Sequence, residues 1–84
     1  MPDRILLLED EPFIALDLEG VLKEHGYDVV TRTTCAEALA WLEDNAPSMA
    51  IVDPHLSGGL CSAVVRHLAK GQVPFGVYSG EPGS

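Results

Sequence analysis

Basic residues are scarce in this 84-residue chain: 5 Lys and Arg stand against 13 Asp and Glu, for a formal net charge of −8. So few cations exclude a nucleic-acid-binding surface, which needs clustered Lys and Arg, and disfavour docking on anionic membranes. No apolar run approaches the roughly 20 residues that span a bilayer. The N-terminus lacks a basic stretch followed by a long apolar one, so no secretory leader is expected. Cysteine is limited to Cys35 and Cys61, with no CxxC pair and no His/Cys cluster at zinc spacing. The expectation is two reduced thiols with packing roles in a cytoplasmic protein. The length limits the chain to one domain, 1–84, and chains this short bury little more than about 60% of their unfolded surface.

What is present alternates in an orderly way. Ile5–Leu8 is a short apolar run that reads as a buried strand. Pro12–His25 reads as a helix with Pro12 at its first position, Gly26 as its stop and Ile14, Leu18, Val21 and Leu22 as its buried face. Gly20 interrupts that helix at a cost of about 1 kcal/mol relative to Ala, which suggests a close packing contact there. Tyr27–Thr33 reads as a second strand. Thr33 or Thr34 caps a helix running to about Asn45, and Glu37 completes a capping box with Thr34. Met49–Val52 is a third strand, Leu60–Lys70 a third helix closed by Gly71, and Pro74–Tyr78 a fourth strand. The order βαβαβαβ predicts an α/β fold: a parallel sheet with right-handed crossovers and helices on both faces.

In such sheets the carboxyl ends of the strands carry the ligand site. Strand one ends on Glu9-Asp10-Glu11, strand three on Asp53 and strand four on Ser79-Gly80. Carboxylates gathered this way repel one another. A hard divalent cation such as Mg²⁺ relieves that repulsion, and capping of the next helix is the other use for them. Asp53 follows Met49-Ala50-Ile51-Val52, so its side chain stands at the sheet edge facing Glu9 and Asp10 if strands one and three are neighbours. Carboxylates sharing a cation suit phosphate chemistry, and one of them can act as a nucleophile to give an aspartyl phosphate. The Ser79 hydroxyl and the Gly80 amide are candidate donors to a phosphoryl oxygen. Ser79-Gly80 and Asp53-Pro54 are equally ordinary turn dipeptides. The turn Glu9-Asp10-Glu11-Pro12 offers no glycine or hydroxyl series, which argues against a flavin-type phosphate cradle.

Leu8-Glu9-Asp10-Glu11, Ile51-Val52-Asp53 followed by Leu56-Ser57-Gly58-Gly59, and Val77-Tyr78-Ser79-Gly80 resemble the receiver domain of two-component response regulators. Pro74-Phe75-Gly76-Val77-Tyr78-Ser79-Gly80 also looks like a branch with a Pro-Phe-x-Phe-Ala-Thr-Gly signature, from which Val77, Tyr78 and Ser79 depart. The resemblance implies a flavodoxin-like sheet of order 2-1-3-4, lacking the usual fourth helix, fifth strand and fifth helix. It implies a signalling module rather than an enzyme, with a histidine kinase or phosphotransfer protein as phosphoryl donor and Asp53 as acceptor. Mg²⁺ would be held by Glu9, Asp10 and Asp53 with the backbone carbonyl of His55, Asp10 more directly than Glu9. Glu11 is left as a helix-start residue. Ser79 would be the switch hydroxyl.

Three departures follow. The strand-five Lys of the family has no counterpart here, and Lys70 belongs to the third helix by pattern. Ser57 stands where the family usually has Pro, and Pro54 removes an amide directly after Asp53. The strand-four edge and a sheet face are expected to be open, which implies either a fragment of a longer receiver or self-association. The alternative function is a receiver-like dimerisation or interaction module that is never phosphorylated.

Overall fold

The computed structural model describes residues 3–54, 56 and 61–77. Four parallel strands, β1 (Arg4–Leu8), β2 (Asp28–Arg32), β3 (Met49–Val52) and β4 (Phe75–Val77), form one sheet in the order β2-β1-β3-β4. Three helices join them: α1 (Pro12–Glu24), α2 (Cys35–Asp44) and α3 (Ser62–Lys70). Tyr78, with which the sequence reading closes strand four, lies outside the described residues.

β1 is central because its sequence is apolar on both faces. Leu6, Leu7 and Leu8 are fully buried, and each is worth about 1.5–3 kcal/mol in removal from water. Leu6 and Leu8 face one way with Ala50 and Val52 of β3. They meet Ala38 and Leu42 of α2 and Val64 and Leu68 of α3 in the main core. Ile5 and Leu7 alternate to the opposite face and are buried there, and Ala15 is the buried residue of α1.

Local chemistry sets the helix ends. Glu11 is the N-cap of α1: its carboxylate accepts the Phe13 amide at 3.3 Å, and Pro12 follows at the first position. At the other end the Gly26 amide donates to the Lys23 carbonyl and the Tyr27 amide to the Leu22 carbonyl. That pair closes the helix through Gly26 at φ 89°. Thr34 caps α2 by accepting the Glu37 amide at 3.1 Å. The Thr33 and Thr34 hydroxyls both donate to Glu37 Oε1, at 2.8 and 3.2 Å.

Three expectations need correction. A Cβ at Gly20 would meet nothing within 4 Å, so this glycine makes no close packing contact; it lies on the outward side of α1. Val21 is 52% exposed rather than part of the buried face, and the buried residue of α1 is Ala15. Cys61 is extended, so α3 starts at Ser62. Gly71 closes α3 as its C-cap, as expected, at an ordinary φ of −85°, and the left-handed turn that follows falls on Gln72 at φ 58°.

Candidate functional site

The site forms because β1 and β3 are hydrogen-bonded neighbours in register. Leu8 lies opposite Val52, and the next residues on the two strands are Glu9 and Asp53. Two backbone bonds hold these ends: the Asp53 amide donates to the Leu8 carbonyl at 3.0 Å, and the Glu9 amide to the Arg32 carbonyl at 3.0 Å. Parallel strands expose unpaired polar backbone and side chains only at their ends, so the carboxylates gather at the carboxyl edge.

Glu9, Asp10 and Asp53 each offer a carboxylate oxygen, and these atoms lie within 4.8 Å of one another. Glu9 is 1% exposed and Asp53 6%, whereas Asp10 faces solvent. The Glu11 amide donates to Glu9 Oε2 at 2.9 Å, which aims the carboxylate and folds the strand end back on itself. Burial pushes the Glu9 carboxyl up to about 7; the hydrogen bond from Glu11 opposes this, and the bond with Asp53 and the charges of Asp53 and Asp10 add to it. Glu9 is thus held to its neutral form more strongly than an ordinary carboxyl, and its side chain is hydrogen-bonded with Asp53.

This donor set fits a hard divalent cation. It supplies oxygen ligands only, of mixed burial, with one member whose carboxyl is pushed up by burial. Glu11 is not part of it, since its carboxylate caps α1. Of the residues singled out from the sequence, the fold brings Glu9, Asp10 and Asp53 together. His55, Ser79 and Gly80 lie outside the described residues.

The reading of two reduced thiols is overturned. Cys35 and Cys61 form a disulfide, with Cα atoms 5.9 Å apart. Sequence spacing hid this, because 26 residues separate them. The signal available was positional: each cysteine begins a helix, and the two helices lie on the same face of the sheet.

Comparison with known proteins agrees with the architecture. The sequence matches no protein-family profile. It is 35% identical over 63 residues to the phyllosphere-induced regulator PhyR of Methylorubrum extorquens, covering 70% of this chain and 23% of that protein. The response regulator PhyR from Brucella abortus superposes with a TM-score of 0.80 at 32% identity, over 92% of this chain and 33% of that one. A CheY-like receiver domain protein from Methanospirillum hungatei superposes with a TM-score of 0.84 at 22% identity, over 96% of this chain and 66% of the other. The chain thus spans about a quarter of the curated relative it matches. It has the fold of the response-regulator receiver domains, in the strand order expected for a flavodoxin-like sheet, and PhyR is a homologue in sequence.

Proposed function

We propose that this response-regulator receiver domain, taken as one unit over 1–84, accepts a phosphoryl group on Asp53 from a histidine kinase or phosphotransfer protein. The observation that carries the reading is the nine-tenths burial of Asp53 at the end of β3, with oxygens of Glu9 and Asp10 within 4.8 Å. An Asp53 carboxylate oxygen attacks the phosphorus of a phosphohistidine. The P–N bond breaks, and the imidazole nitrogen keeps the electron pair and takes up a proton.

Glu9, Asp10 and Asp53 would hold Mg²⁺, with the backbone carbonyl of His55 as a further ligand. Bound there, the cation would offset the carboxylate charge and the charge on the phosphoryl oxygens. Asp10 is the solvent-facing member and Glu9 the buried one, so Asp10 suits direct ligation and Glu9 an outer role. The hydroxyl of Ser79 and the amide of Gly80 are proposed as phosphoryl contacts, with Ser79 as the switch. The role is signalling rather than catalysis of a metabolic reaction. A cytoplasmic location follows from a kinase donor; no helix among the described residues is long and apolar enough to cross a membrane.

The test is labelling by a small phosphodonor such as acetyl phosphate, with and without Mg²⁺. Labelling that needs Mg²⁺, survives acid and is lost in base supports the reading. Undiminished labelling of Asp53→Asn sinks it.

A second reading, a receiver-like interaction module that is never phosphorylated, rests on exposed apolar side chains. Phe13, Leu16 and Val21 on α1 are 76%, 63% and 52% exposed, and Phe75 and Val77 on β4 are 37% and 49% exposed. Self-association through the β4 edge and the open sheet face would cover part of this surface. Sedimentation decides: an oligomer indifferent to Mg²⁺ and phosphodonor favours the module.

A further inference from the structure

The disulfide joins the two helices that flank the strand carrying Asp53. Cys35 is the first residue of α2 and Cys61 the N-cap of α3. The loop they close contains the whole of β3 and Asp53. Cys61 is 5% exposed within the main core, next to Val64 and Leu68, while Cys35 is half-buried against the same cluster. The start of α3 is the far anchor of the connection that leaves Asp53, and the bond pins it to α2.

Position also bears on reactivity. Both sulfurs stand at helix N-termini, where backbone amides and the helix dipole favour a thiolate as nucleophile or leaving group. Cys61 makes no side-chain cap hydrogen bond while it is bonded, so the first turn of α3 goes without the capping that Thr34 gives α2 through its hydroxyl. A disulfide in a cytoplasmic protein is ordinarily a transient or sensing bond rather than a permanent staple.

We propose that Cys35 and Cys61 are a reversible thiol–disulfide site, exchanging with low-molecular-weight thiols of the glutathione class, whose state sets how firmly α3 anchors the strand bearing Asp53. A small thiolate attacks the Cys35 sulfur, the more exposed of the two. The S–S bond breaks, and its electron pair leaves on the Cys61 sulfur, which takes up a proton. A second small thiol then attacks the mixed disulfide and releases a small disulfide and the Cys35 thiol. One protein disulfide and two small thiols become two protein thiols and one small disulfide; the reverse exchange closes the bond. The cytoplasmic setting and the link to the cation rest on the phosphoacceptor reading, whereas the measurement of thiol exchange and of its effect on β3 does not.

The experiment equilibrates the full chain in glutathione buffers of graded redox ratio. Free thiols are counted by alkylation and intact mass, amide exchange is followed in Met49–Val52, and Mg²⁺ is titrated by calorimetry. The expected result is two thiols that appear and vanish together with the far-UV spectrum retained. On reduction, β3 amides exchange faster and Mg²⁺ binds more weakly, each by about fivefold, the lower end of ordinary site-to-site coupling. A Cys35→Ser/Cys61→Ser variant behaves as the reduced form at every ratio; should it not fold, the reduced native chain supplies the comparison. Thiols that form only in denaturant, or β3 protection equal in the two states, overturn the proposal. Equal Mg²⁺ affinity in the two states overturns the coupling to the site. Mg²⁺ bound in neither state defeats the phosphoacceptor reading instead, and β3 exchange then judges this one alone.

Discussion

The Asp53 amide donates to the Leu8 carbonyl at 3.0 Å, and this one backbone bond places Asp53 beside Glu9. Two carboxylates that are 44 positions apart in sequence thereby meet at the edge of the sheet.

That arrangement makes stability depend on pH in a definite direction. Glu9 keeps its proton in the folded chain up to about 7, against 4.5 for the ordinary value. Between those values the native state binds more protons than the unfolded one, so the stabilisation present below about 4.5 is lost as pH rises through about 7. Urea midpoints measured in EDTA are expected to fall from pH 5 to pH 8 more steeply in the native chain than in Glu9→Gln, which stays neutral. Equal slopes would contradict the raised Glu9 carboxyl. Mg²⁺ at pH 8 is expected to restore the midpoint of the native chain.

The two glycines bounding the second half of α1 are expected to behave oppositely. Gly20 has open space around its missing Cβ, so Gly20→Ala gains about 1 kcal/mol of helix propensity. Gly26 holds φ 89°, so Gly26→Ala loses about 1 kcal/mol or more. Thermal unfolding of the two variants reads both signs; the same sign for both would be the wrong answer.

At the end of α3 the glycine stands one residue early. The Gln72 amide donates to the Ala69 carbonyl and the Val73 amide to the Leu68 carbonyl, a closure that puts Gln72 at φ 58°. Gln72→Gly relieves a left-handed residue and is expected to stabilise by about 1 kcal/mol. Gly71 has φ −85°, and an added Cβ would meet nothing nearer than the His67 carbonyl oxygen at 3.6 Å, so Gly71→Ala is tolerated. A denaturation midpoint for Gln72→Gly below that of the native chain would refute this placement.

Thr31 carries a cost of a different kind. Its hydroxyl is buried without a hydrogen-bond partner among the described residues, opposite Leu7 in the β1–β2 pairing. Thr31→Val replaces it with a methyl of the same shape and is expected to stabilise by about 1 kcal/mol. Equilibrium unfolding in urea checks this, and a loss of stability would show that the hydroxyl is satisfied in solution.

Much of this was legible along the chain because it depends on neighbours in sequence. The apolar run Ile5–Leu8 can only be a strand buried on both faces. Pro12 and Gly26 bracket α1, and Thr34 with Glu37 opens α2. Alternation of short apolar runs with helical segments leaves a parallel sheet as the economical arrangement. The clustering of acidic and hydroxyl residues after strands one, three and four then marks one edge as the place for chemistry.

Other features needed the third dimension. Whether Glu9 is a ligand, a cap or a proton store depends on its distance from Asp53, which is set by which strands pair and in what register. The cysteines read as unrelated thiols because their places at two helix starts point to a pair only once α2 and α3 pack on one face and bring those starts together. The helical period puts Val21 on the buried side of α1, and only the packing of the helix shows that Val21 is exposed and Ala15 buried. Gly71 and Gln72 divided the turn after α3 according to where the helix ended. Sequence by itself determined the elements, their order and the residues competent for chemistry, since these follow from propensity, capping and hydrophobic period. The tertiary structure alone decided which of those residues meet, because meeting depends on strand register and helix packing between distant segments.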